Sequence, residues 1–179
     1  MKLLTRNFRY WLPVFFWLGV IAYESLRLSS SVTGGWLLQF LRAVHIQISW
    51  HAFAQLHHFL RKAGHVTGYG ILCLLFFRAW FHTLEPSTFS SVNVASGKAA
   101  NGRSQQLRGV HLRCASLAIT ITLVTAVLDE WHQAFDLART SSPWDVALDV
   151  TGGITFLAFA LFVLRLWRDL PKQWTPASA

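Results

Sequence analysis

Four stretches of this chain, roughly Trp11–Arg27, Leu56–Phe81, Leu112–Trp131 and Trp144–Trp167, are mostly apolar over the length needed to cross a bilayer. About 20 such residues in helical form cover a hydrocarbon layer of roughly 30 Å. In lipid every backbone polar group needs an internal partner, and a helix supplies one within a single segment. The expected fold is therefore all-α: a polytopic membrane bundle of four transmembrane helices. The whole chain, 1–179, is expected to form one domain.

Composition points the same way. The chain is 53% hydrophobic, 15% aromatic and only 13% charged, with mean hydropathy +0.37. A soluble domain carries about a quarter charged residues. The net charge of +8 would suit a nucleic-acid binder, but nine Trp and long apolar runs do not. Membrane lipids are the expected partner, and nucleic acid is not. Trp11, Trp80, Trp131, Trp144 and Trp167 fall at the expected helix ends, where an amphipathic ring favours the interface. Trp17 is the exception and is expected to pack within the membrane. Cys73 and Cys114 lie in or beside apolar runs and read as small packing residues rather than a disulfide framework.

The first apolar stretch ends in Tyr23-Glu24-Ser25-Leu26-Arg27, without a small-x-small cleavage pattern, so it reads as a retained helix. Cytoplasmic connections collect Lys and Arg. Lys2, Arg6 and Arg9 before the first helix, Arg78, Lys98, Arg103, Arg108 and Arg113 around the second connection, and Arg165, Arg168 and Lys172 in the tail make eleven of sixteen. Both termini are therefore expected on the cytoplasmic side of the cell membrane.

Between the first two helices, "GGWLLQFLRAVHIQISW" has Leu37, Leu38, Leu41, Val44 and Ile48 at helical spacing, with Gln39, Arg42 and Gln47 elsewhere. The pattern predicts a short interfacial amphipathic helix on the outer surface. Pro86 to Gln106, rich in Ser, Ala, Asn and Gly, reads as a flexible cytoplasmic loop.

With four alternating spans, the start of the second, the end of the third and the start of the fourth share one face. Those places hold nearly every ionisable residue near the membrane. "RKAGHVTGY" supplies Arg61, Lys62, His65 and Tyr69, and spacings of three and four put Lys62, His65 and Tyr69 on one stripe. "LDEWHQAF" supplies Asp129, Glu130, His132 and Gln133. "SPWDVALDVTGG" supplies Asp145 and Asp149 on one face, followed by Gly152 and Gly153, which let another backbone approach. A lone charge deep in a spanning helix costs about 2.5–3.5 kcal/mol, so a basic stripe facing acidic groups is favoured. The plain alternatives are solvation of Glu130 and His132 at a helix end, and Arg61 and Lys62 reaching for head groups.

No metal or cofactor is expected. His51, His58 and His65 recur every seven residues, about 10.5 Å per step along a helix, and cannot share an ion. There is no H-E-x-x-H, no zinc-type Cys/His spacing and no G-x-S-x-G.

Taken in order, Arg61-Lys62-x-x-His65-x-x-x-Tyr69, Asp129-Glu130-x-x-Gln133, and Arg139 followed by Asp145, Asp149 and Gly152-Gly153 resemble the VanZ-like family of small membrane proteins. Glu24 with Ser29 and Ser30 resembles that family's opening helix, and the likeness spans roughly residues 11–165. The chain departs from the pattern at Asp149, where the family has Asn, and at Leu137-Ala138, where it has Pro-Gly. Its second connection is also longer. The resemblance implies a cell-envelope protein with an accessory part in tolerance of glycopeptide antibiotics. An acyl-phosphate activity attached to some relatives has no support in these residues.

Three functions stay open. An outer-face pocket of Arg61, Lys62, His65, Tyr69, Asp129, Glu130, Gln133, Arg139, Asp145 and Asp149 binds an anionic lipid or cell-wall precursor, with Arg side chains clamping the anion. Alternatively the same pocket is enzymatic, with His65 or Glu130 as general base and Arg139 stabilising negative charge. Or the residues form only an ion-pair network that holds the bundle.

Overall fold

The chain folds into α1 (Lys2–Arg27), α2 (Ser30–Ala43), α3 (Trp50–Phe89), α4 (Ala99–Gln133) and α5 (Pro143–Asp169). The structure, a computed structural model, describes residues 2–27, 30–89, 99–135 and 142–169, with side chains over 8–26, 31–84, 108–135 and 142–166. Among the described residues there is no strand. Each of the four apolar stretches lies within a helix, and the all-α expectation holds.

Helix boundaries have local causes. Ser49 caps α3: the Ala52 amide donates to its Oγ at 3.2 Å and the Phe53 amide to its carbonyl at 2.9 Å. Ser142 does the same for α5, receiving the Trp144 amide on Oγ at 3.3 Å and the Asp145 amide on its carbonyl at 2.9 Å. Pro143 takes the first helical position, where a missing N–H costs nothing, and Asp145 places a negative charge in the first turn.

The amphipathic helix is shorter than its pattern. α2 stops at Ala43 because His45 turns left-handed at φ 58°. The Ile46 amide then reaches back to the Leu41 carbonyl at 2.9 Å and the His45 amide to the Arg42 carbonyl at 3.1 Å. This pair of bonds closes a helix end that usually carries glycine. Leu41 is buried, whereas Val44 and Ile48 lie beyond the helix and are exposed. The expected loop is also largely helical. α3 continues to Phe89 and α4 begins at Ala99, since Ala, Gln and Arg favour helix once no bilayer limits its length. Residues 90–98 lie outside the described residues.

Among the described residues two helical segments are long and apolar enough to cross a membrane, Arg108–Gln133 and Pro143–Leu166, and the expected span Leu56–Phe81 in α3 is not one of them. Phe8–Leu26 and Ser31–Ala43 qualify together, across a 92° bend, making up to three. Large apolar side chains point outward from the bundle, including Leu123, Val124 and Val127 on α4 and Phe159, Phe162 and Leu164 on α5. A water-facing surface would not gather so many; this is a membrane protein. α3 carries Arg61, Lys62 and Arg78 and is the central helix, packed against each of the other four. At about 1.5 Å per residue its 40 residues run roughly 60 Å, twice the hydrocarbon thickness.

Cross-helix contacts fix the directions. Trp11 donates to Thr83 at 3.2 Å and Trp17 to the Gly68 carbonyl at 2.9 Å, so α1 and α3 run antiparallel. Tyr69 meets Asp129, while Phe77 and Phe81 meet His111, so α3 and α4 are antiparallel as well. Lys62 meets Asp145 and Val66 meets Gly152, so α5 is parallel to α3. Trp11 and Trp80 stand edge to face with centroids 5.2 Å apart, packed on the core, while Trp131 and Trp144 are exposed. Cys73 and Cys114 are buried and free, as packing residues.

The closest approach is between α3 and α5. A Cβ on Gly152 would lie 2.6 Å from the Val66 carbonyl oxygen and 3.0 Å from its Cα. Small residues permit this backbone contact between helices. Gly152→Ala is expected to destabilise the bundle by about 1–3 kcal/mol, because backbone must move to admit the methyl. Gly109→Ala, whose Cβ would meet nothing within 4 Å, is expected to be neutral or stabilising. Unfolding in mixed micelles compares them.

Candidate functional site

The close contact at Gly152 sets the depth at which α5 presents its carboxylates to α3. One turn before Gly152, Asp149 is 1% exposed, and its two oxygens lie 3.3 and 3.4 Å from His65 Nδ1. Oδ2 is placed to accept from Nδ1; Oδ1 is off the N–H direction and has no hydrogen-bond partner among the described residues. One further turn back, Lys62 Nζ donates to Asp145 Oδ1 at 2.6 Å. The helix spacing that aligns Lys62 with His65 thus pairs with the four-residue spacing of Asp145 and Asp149.

Tyr69, the third residue of the stripe, turns to α4 instead. Its hydroxyl donates to Asp129 Oδ2 at 3.0 Å, and Gln133 Nε2 donates to the same oxygen at 3.0 Å. Glu130 has a different task. It is buried, and its carboxylate accepts the Ser142 amide at 3.0 Å, tying the end of α4 to the residue that caps α5. A solvated helix end is therefore the wrong reading for Glu130 but the right one for His132, which is exposed.

These bonds divide the expected pocket in two. Arg61, His65, Tyr69, Asp129 and Gln133 line a cavity of about 250 Å³ enclosed by α1, α2, α3 and α4. Lys62, Glu130, Asp145 and Asp149 do not line it: the first three are engaged along the α3–α5 and α4–α5 seams, and Asp149 sits behind the His65 ring. The correction has a simple geometric cause. Neighbouring residues on a helix point about 100° apart, so Arg61 and Lys62 face different neighbours. Arg139, with Leu137-Ala138, lies outside the described residues, as does Ser29.

The cavity also includes Glu24, which the family resemblance marked, and groups the sequence pattern missed. Glu24 and Ser25 come from α1, Thr33 from α2 and His57 from α3. His57 Nε2 is 2.9 Å from Thr33 Oγ1, and its ring stacks on Phe53 with centroids 6.1 Å apart. The available signal was the four-residue step His57–Arg61–His65, which marks a second face of α3 beside the Lys62–Tyr69 stripe. The lining therefore mixes acids, a guanidinium and two imidazoles rather than cations alone. Its polar groups include the Glu24 and Asp129 carboxylates and the Arg61 guanidinium.

Among the described residues, no group of three or more His, Cys, Asp or Glu side chains is placed to hold a metal ion. His65 has the second-atom arrangement of a general base: Nδ1 is held by a buried carboxylate while the ring borders the cavity. No family model, curated protein or solved structure matches the chain.

The His65–Asp149 pair gives a non-additivity test. His65→Leu leaves a carboxylate buried among apolar neighbours and is expected to cost about 2–3 kcal/mol. His65→Leu with Asp149→Leu removes both polar groups and is expected to recover at least half of that loss. Equal or greater destabilisation of the double variant in a denaturation series would mean the pair is not coupled.

Proposed function

We propose that this chain is a VanZ-like integral protein of the bacterial cell membrane whose outer-face cavity binds the charged, hydroxylated head group of an anionic lipid or cell-wall precursor. In this reading α1, α3, α4 and α5 all span the bilayer, α2 lies on the outer surface, and both termini are cytoplasmic. A part in glycopeptide tolerance belongs to the same reading and rests on the family resemblance alone.

The observation that carries it is convergence: Glu24, Thr33, Arg61, His65, Asp129 and Gln133 come from four helices to one cavity at one end of the bundle. A network that only locks helices together needs no such space, and the seam pairs Lys62–Asp145 and Glu130–Ser142 already do that work. The central position of α3 supports its membrane crossing, since polar residues on a helix surrounded by protein do not meet lipid. Arg61 suits a phosphate, and the carboxylates suit sugar or glycerol hydroxyls.

The orientation of His65 by Asp149 supports a second reading, in which the cavity performs proton transfer on a lipid-linked substrate. Purified protein incubated with labelled lipid-linked precursors separates the two. Retained, unchanged lipid is expected for the binder; product formation lost in His65→Ala establishes the enzyme instead. For topology, a single cysteine placed at Ser104 is expected to escape an impermeant maleimide in intact cells. Strong labelling there would put the cavity on the cytoplasmic side.

A further inference from the structure

A second hollow, of about 550 Å³, lies between α2 and the first turns of α3. Its character is different. Gly34, Gly35 and Leu38 of α2 face Trp50, Phe53 and Ala54 of α3, so most of its wall is apolar. It adjoins the polar cavity, and the two have His57 and Arg61 in common. His57 is held at this junction from both helices, by Thr33 at 2.9 Å, by the stacked Phe53 ring and by the backbone of Gly34, whose Cβ position is 3.5 Å from the imidazole.

A polar chamber and an apolar groove joined at a neck of Arg61 and His57 match the three parts of one kind of molecule. The geometry points to a single amphiphile spanning both: its hydrocarbon chain lies in the groove along Leu38, Trp50 and Phe53, its phosphate sits at Arg61 and His57, and its hydroxylated head enters the cavity beside Glu24, Asp129 and Gln133. The inference rests on the proposed head-group cavity and adds the chain and the position of the phosphate. Together the two spaces fall within the roughly 300–1,000 Å³ of ordinary ligand sites. The apolar groove supplies packing contacts along the chain, which a soluble head-group analogue cannot make. Two sources share this chemistry, a glycerophospholipid such as phosphatidylglycerol and a polyprenyl-phosphate sugar.

Two glycines make the test clean. A Cβ at Gly35 in the groove, or at Gly64 in the cavity, meets nothing within 4 Å. Gly35→Leu and Gly64→Leu therefore each add a side chain to the wall of one compartment, at positions where its Cβ has open space. Phosphatidylglycerol and a polyprenyl-phosphate sugar are supplied separately in phosphatidylcholine micelles, retained lipid is counted by native mass spectrometry, and glycerol phosphate binding is followed in the same preparations.

Gly64→Leu is expected to abolish binding of the lipid and of glycerol phosphate. Gly35→Leu is expected to weaken lipid retention by about tenfold or more and to leave glycerol phosphate unchanged. The lipid that shows both responses identifies the source. Loss only with Gly64→Leu overturns the two-compartment inference and leaves the head-group cavity standing. Full retention in both variants, or no retention of either anionic lipid by the parent protein, overturns the inference and the cavity reading together.

Discussion

The contact on which the rest of the structure depends is the approach of α5 to α3 where Gly152 lies against the Val66 carbonyl. In a membrane protein helices associate through close packing and through polar groups that find one another. Gly152 allows the first and, by fixing the register, produces the second. With the backbones that near, Asp149 and Asp145 fall opposite His65 and Lys62, one helical turn apart on each side. Any residue with a side chain at 152 would push the helices apart and lengthen both pairs at once.

Polar residues at that end of the bundle have two separate uses. Lys62, Glu130, Asp145 and Asp149 hold helices to helices, while Arg61, His65, Tyr69, Asp129 and Gln133 border open space. His65, Tyr69, Asp129 and Gln133 have both uses, since each is bonded within the protein and also borders the cavity. The cavity wall is thereby made rigid by the same bonds that close the bundle. A site built on helices and braced in this way holds its geometry before a ligand arrives.

The helical fold and the meeting of α3, α4 and α5 were legible in the sequence because they rest on periodicity and apolar length, which are local. Gly152 was legible too, as a small residue beside the acidic face. The ends of α2 and the split of the polar cluster were not. α2 ends at a left-handed His45, and nothing in the alternation of Val44 and Ile48 signals that turn. The split required knowing that α1 and α2 supply the wall opposite Arg61. Thr33 and His57 are unremarkable along the chain and acquire meaning only when helices far apart in sequence are brought together.

The pairing of residue 65 with residue 149 also orders the assembly of the molecule in time. α3 leaves the ribosome carrying Arg61, Lys62 and His65, and α5 is the last of the described helices to follow. Until it does, Lys62 and His65 lack their carboxylates, and α3 is held only by α1, α2 and α4. The central helix is thus committed to its place by a segment made some eighty residues later (a separation of 83 between Lys62 and Asp145). A chain halted before α5 would leave Lys62 and His65 of the central helix without these partners.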